Sequence, residues 1–144
     1  YIQRKLVDIN YYIYGSTKYL EKYGIPKTIN DLNKHKFISF GKGAPSPVFN
    51  PDWALKLGVK DNKKRKSIMK VNSVMGLLLA VESGVGLAAL PEYLVSSSTN
   101  VIKVLPNSAG PITEAHFVYP QSLKKVARVQ AFRNFLYSKI GDWK

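Results

Sequence analysis

The sequence predicts an α/β layer fold, and three observations carry the prediction. Helix-like and strand-like segments alternate along the whole chain; residues 73–82 carry an apolar stripe at helical spacing; and residues 85–90 form a continuous apolar run closed by Gly84 and Pro91. The first segment, residues 7–14, is rich in β-branched and aromatic side chains and reads as a strand that the pair Gly15-Ser16 turns into a helix. Ser16 is the expected N-cap of that helix, and Gly24 followed by Pro26 ends it. A second short helix is expected with Asn30 as cap and Asp31 in its first turn.

Residues 37–40 (Phe-Ile-Ser-Phe) read as a compact strand, and the two glycines and two prolines of residues 41–47 exclude regular structure there. Trp53, Leu55 and Leu57 alternate as in a short extended segment. The basic run at residues 60–66 reads as an exposed hairpin or loop, and residues 67–71 as the next strand. In residues 73–82, Val74, Leu77, Leu78 and Val81 stand at i, i+3, i+4 and i+7, so a helix buries one face, with Gly84 closing it. Residues 85–90 then resemble a strand buried on both faces of a parallel sheet. Short elements are expected at residues 92–95, 101–105 and 113–119. A final helix over residues 122–140 aligns Val126, Val129, Phe132, Leu136 and Ile140 on one side.

The 144 residues are 45% hydrophobic and 12% aromatic, enough for one domain with its own core and too apolar for a disordered tail. The apolar run over residues 77–81 stops at Glu82, well short of the roughly 20 residues a membrane-spanning helix needs, so no membrane partner is expected. Cysteine is absent, which excludes disulfides and thiolate zinc sites and fits a cytoplasmic location. The chain opens at Tyr1 inside a strand-like pattern and is expected to belong to something longer. Its net charge of +13 is scattered except at Lys60, Lys63, Lys64, Arg65 and Lys66, a cluster that reads as a solvated lysine-rich surface or as a phosphate contact.

Catalytic chemistry finds little support. With two histidines, His35 and His116, no Gly-x-Ser-x-Gly elbow and nine dispersed carboxylates, neither a nucleophile with its base nor an acid/base pair is evident. No metal or cofactor is expected. Residues 84–89 match Gly-x-Gly-x-x-Ala, but a dinucleotide fingerprint needs a strand before its glycines and a helix after them, and here the order is reversed. Gly84 and Gly86 therefore read as a helix end and a tight turn. What remains is the helix start at Asn72 and Ser73. Its unpaired N–H groups and positive dipole end favour an anion, or else Asn72 or Ser73 caps its own helix.

The order of segments resembles a known family. Gly15 to Leu20, Gly24-Ile25-Pro26, Asp31-Leu32 and His35 stand in the order of a stretch of the effector-binding domain of LysR-type transcriptional regulators, with Thr17 where that family has a proline. Phe37 to Phe40, Trp53 and Val71-Asn72-Ser73 continue the likeness. So do the Gly-x-Gly turn ending at Leu90-Pro91, Phe117-Val118-Tyr119-Pro120, and the segment from Val129 to Leu136. The resemblance implies a periplasmic-binding-protein-like (type 2) bilobal α/β fold. Residues 8–111 would form the complete second lobe and residues 112–144 a segment returning to a partial first lobe, with the DNA-binding helix-turn-helix outside this chain.

By the same resemblance the function is effector sensing without catalysis: a small molecule held between lobes modulates DNA binding and transcription by the full-length protein. An anion is the preferred effector, and a homodimer or tetramer the expected assembly. The effector-binding residues expected are Phe40, Gly41 and Lys42 at one strand end, and Asn72, Ser73 and Val74 at the facing helix start. A lobe of a transporter's solute-binding protein is the alternative with the same fold.

Overall fold

A computed structural model describes residues 1–41 and 50–141, and the chain divides into two compact units: Tyr1–Ile9 with Ile112 onward, and Asn10–Pro111. In the first unit, strand β1 (Ile2–Ile9) pairs antiparallel with β7 (Thr113–Tyr119), bringing Lys5 Nζ within 2.8 Å of Glu114. Helix α5 (Ala127–Ile140) packs on β1, where the Tyr137 hydroxyl donates to the Lys5 carbonyl at 3.0 Å. The helix begins later than residue 122, because a 3₁₀ turn at Gln121–Leu123 intervenes. Of its expected stripe, Ile140 is buried, Val126, Val129 and Leu136 are half-buried, and Phe132 remains 52% exposed.

The second unit begins where the strand expected over residues 7–14 is divided. Residue 10 interrupts it, and β2 (Tyr11–Ser16) joins a different sheet, at the centre of the antiparallel order β5-β2-β6 with β5 (Ala88–Pro91) and β6 (Val101–Val104). Here the sequence expectation holds only in part: Leu87 bridges in parallel to Phe37, but β5 starts at Ala88 and runs antiparallel to β2. Antiparallel core strands can also be apolar on both faces when helices cover them, so the run did not discriminate. β3 (Phe37–Phe40) pairs in parallel with β4 (Ser67–Val71). A two-bond bridge ties it to the other sheet: Leu87 N donates to Lys36 O, and Ile38 N to Leu87 O, both at 2.8 Å.

Helix α1 (Thr17–Tyr23) starts as expected, with Ser16 Oγ accepting from Tyr19 N, and ends at Gly24 in the left-handed region (φ 85°). The next turn is 3₁₀ over Ile29–Lys34. Its cap is Thr28, not Asn30: the Thr28 hydroxyl accepts from Asp31 N while the Asp31 carboxylate accepts from Thr28 N, a reciprocal capping box. Trp53, Leu55 and Leu57 do not form an extended segment either. Trp53–Lys56 is a short helix, α2, burying Trp53, Ala54 and Leu55, and three consecutive inward residues resemble a strand and a helical turn equally well. Helix α3 (Val74–Glu82) buries Leu77, Leu78 and Val81 against Tyr14, Ile38, Ala88 and Leu90, and α4 (Glu92–Val95) adds Val95 to that core.

His35 is held in this fold by Tyr19, whose hydroxyl accepts from Lys36 N at 2.9 Å and is hydrogen-bonded to His35 Nδ1 at 3.2 Å, with the donor at that bond set by the imidazole tautomer. Burial lowers the His35 pKa from its usual value, against a smaller opposing pull from Asp31. A lowered folded-state value means the unfolded chain binds the proton more readily. The His35 contribution is therefore complete above about pH 6.5 and is lost as pH falls through the lowered folded value. Thermal melts of the wild type should show a fall in Tm between about pH 7 and 5, and His35→Gln should flatten it. An unchanged slope in the variant would assign the fall to other groups.

Candidate functional site

Parallel pairing places Phe40 opposite Val71, and Gly41 N donates to Val71 O at 2.8 Å, so the carboxyl ends of β3 and β4 lie side by side. The chain then passes through Asn72 into α3. Carboxyl ends of parallel strands followed by a helix start are where open α/β sheets bind ligands. Residue by residue, Phe40 and Gly41 are half-buried, Asn72 and Ser73 are exposed, and Val74 is half-buried, while Lys42 lies outside the described residues. No side chain needs to fit at Gly41, whose nearest neighbours to a Cβ would be Val71 and Asn72 backbone atoms at 3.8 to 3.9 Å.

Between the capping and ligand readings of the helix start, capping is realised at Ser73: its hydroxyl accepts from Gly76 N at 3.3 Å. That bond uses one first-turn amide. Those of Val74 and Met75 have no intrahelical acceptor by helix geometry, and their partial positive charge persists at the exposed strand-to-helix turn.

Phe40 and Val74 also meet in one narrow cavity of about 30 Å³, lined with them by Tyr11, Trp53, Leu77 and Pro91. The lining is aromatic and aliphatic, which the anion expectation did not include. Trp53 supplies its one misplaced polar atom. The ring is 7% exposed, and its Nε1–H is buried with no acceptor among the described residues. Gly110 packs against that ring so closely that a Cβ there would overlap it. An unanswered buried N–H costs about 1–3 kcal/mol, so an acceptor placed there is worth more than an ordinary surface hydrogen bond. Tyr11 was not legible as a lining residue, because it reaches this wall through the antiparallel register Tyr11↔Pro91. Trp53 stood in a recognisable place but gave no sign that its N–H would lack a partner.

Among the described residues, no three of the His, Asp and Glu side chains gather as a metal site, and no helix is long and apolar enough to cross a membrane.

Residues 1–140 match the family model of the LysR substrate binding domain. An uncharacterized HTH-type transcriptional regulator of Haemophilus influenzae is 29% identical over 123 residues, which are 83% of this chain and 41% of that protein. The chain thus spans about two fifths of that curated relative's length. Among solved structures, the regulatory domain of CrgA, a LysR-type transcriptional regulator from Neisseria meningitidis, superposes with a TM-score of 0.79 at 22% identity, over 96% of this chain and 68% of that one. The regulatory domain of AphB from Vibrio vulnificus does so with a TM-score of 0.69 at 16% identity, over 95% and 68%. These likenesses show the fold, the periplasmic-binding-protein-like type 2 α/β architecture.

Proposed function

The chain belongs to the LysR substrate binding domain family, and from that premise we propose that it is the effector-sensing part of a LysR-type transcriptional regulator. The match over residues 1–140 carries this reading and favours it over a transporter's solute-binding protein. In it, residues 8–111 are the second lobe and residues 112–144 a segment of the first. The domain acts by binding and not by turnover, in the cytoplasm, on DNA-binding domains supplied elsewhere in the full-length protein. A small molecule that binds two arrangements of the regulator unequally shifts their populations, and with them the promoter geometry.

The effector site we propose comprises Phe40, Gly41, Asn72, Ser73 and Val74, together with Lys42. A small carboxylate with an apolar body suits it. The body lies against Phe40, Trp53 and Val74, and the carboxylate lies at the Val74 and Met75 amides, where a helix start favours negative charge. Self-association into a homodimer or tetramer belongs to the same reading, and it is supported by the exposed apolar side chains of Ile68 and Met69 on β4 and Met75 and Leu79 on α3.

Replacing Ser73 by Asp tests the site without removing its cap, since aspartate caps helices as well as serine. Wild-type chain should gain about 2.7 kcal/mol from a matching carboxylate at 100 times its Kd, read by thermal shift across a panel of small carboxylates. In Ser73→Asp the unliganded Tm should stay and the gain should vanish, because the added charge repels the anion. Stabilisation of wild type by neutral or cationic compounds alone would overturn the anion assignment, and an unchanged response in the variant would remove the α3 start from the site.

A further inference from the structure

The basic cluster that sequence alone left as either solvated surface or phosphate contact is shaped by the fold into a recess. Its origin is one irregularity in the β3–β4 ladder. Phe37 pairs with Ser67 but Ile38 pairs with Met69, so Ile68 is skipped. An extra residue reverses the alternation of the strand beyond it. Ser67 and Lys70, three residues apart, consequently emerge on one face, beside Ser39, whose hydroxyl donates to Ser67 Oγ at 2.9 Å. The loop before β4 brings Lys64, Arg65 and Lys66 to the same place, with Asp52 and Leu55 from the α2 segment opposite. Together these residues line a recess of about 280 Å³.

The charges in the recess are unequal in role. Lys64 is fixed by the Asp52 carboxylate at 2.6 Å, which neutralises the one acid in the lining. Arg65 turns its guanidinium inward onto the carbonyls of Leu57 and Ala54, adding positive potential without offering its donors. Lys66 and Lys70 are exposed, and among the described residues their ammonium groups have no carboxylate partner. Four cations against one carboxylate leave a net charge of three in a concavity walled by Phe40 and Leu55. Low-dielectric walls focus that potential. A merely solvated lysine face would not be concave, nor would it direct two unpaired ammonium groups to one volume.

We propose that this recess binds a small multivalent oxyanion, a phosphate- or polycarboxylate-bearing metabolite, held by the Lys66 and Lys70 ammonium groups, while the Ser39 and Ser67 hydroxyls, which donate to Ser67 Oγ and to the Met69 carbonyl, shape its floor. The recess shares Phe40 with the proposed effector site, but its charged groups come from the loop before β4 and from Lys70, so it does not depend on the effector reading. Calorimetric titration of the intact chain with inorganic phosphate, pyrophosphate and citrate distinguishes the two sources of negative charge, and pyrophosphate or citrate should bind more tightly than phosphate.

The double variant Lys66→Gln/Lys70→Gln should weaken the tighter of them by about tenfold or more, while Lys18→Gln/Lys22→Gln on α1, with the same loss of charge, should change it less than about threefold. Lys66→Arg/Lys70→Arg should retain binding, which separates a charge requirement from a folding defect. Equal losses in both glutamine pairs would show diffuse attraction to a chain of +13, and absence of binding by all three anions would show a solvated surface; either result overturns the proposal. So would tight binding of a short DNA duplex that the Lys66/Lys70 pair abolishes while none of the small anions binds.

Discussion

Gly86→Ala is expected to destabilise the chain by about 3 kcal/mol, although the change adds a single methyl group. Gly86 is buried, and a Cβ built on it would stand 2.6 Å from the Lys36 carbonyl oxygen and 3.1 Å from its carbon. The obstacle is backbone, which cannot rotate away as a side chain can. It is also the backbone that joins the two sheets of the Asn10–Pro111 unit, since Lys36 O accepts from Leu87 N and Leu87 O accepts from Ile38 N. Relieving the overlap requires moving β3 away from Leu87, which loosens both bonds and opens the packing of Leu87, 0% exposed. Gly84→Ala is the informative contrast. Its Cβ would meet nothing nearer than 3.6 Å, but its φ of 79° lies in the left-handed region, so the cost is strain alone, about 1–2 kcal/mol. Urea denaturation of both variants measures the difference, and equal costs would mean that the β3 contact is not what makes Gly86 necessary.

The two glycines show how the sequence was legible and where it stopped. Their reversed context excluded a dinucleotide loop, and their structural roles as a helix end and a close approach follow from it. Nothing local, however, names Lys36 as the backbone being approached. The same division holds elsewhere. Elements set by their own residues were readable: Ser16 capping α1, the β3 segment, and the α3 stripe of Leu77, Leu78 and Val81. Those decided by partners were not. Whether the apolar run at residues 85–90 is parallel or antiparallel depends on β2, and whether Trp53, Leu55 and Leu57 coil or extend depends on the core they enter. At the proposed effector site, Phe40 and Val74 were legible as a strand end and a helix start. The aromatic wall of Tyr11 and Trp53 was not, because its residues are distant in sequence and meet only through the register of β2 with β5.

Arg65 is the strongest case of a residue whose role reverses between sequence and structure. In the run at residues 60–66 it is one more surface cation, yet it is half-buried, donating from Nη1 to Leu57 O at 2.6 Å, from Nε to Asn33 Oδ1 at 2.8 Å, and at 3.4 Å to the carbonyls of Ala54 and Ile29. Its guanidinium also lies 5.9 Å from the Phe37 ring centre. Burial pulls the pKa down from its usual value, but the group stays cationic at neutral pH. One planar fork thus ties the 3₁₀ turn, α2 and the loop before β4 together. Arg65→Ala should cost about 2–4 kcal/mol, because it leaves several carbonyls without a donor and removes a charged one. Arg65→Lys should recover less than half of that loss, since a single ammonium cannot span acceptors arranged around a planar fork. Lys66→Ala, one residue along and exposed, should change stability by less than about 0.5 kcal/mol. Equilibrium urea denaturation of the three variants decides between the two views of the cluster. Near-neutral behaviour of Arg65→Ala would return Arg65 to the solvated surface, and full rescue by lysine would mean that charge near Phe37, and not the forked hydrogen bonding, holds the loop.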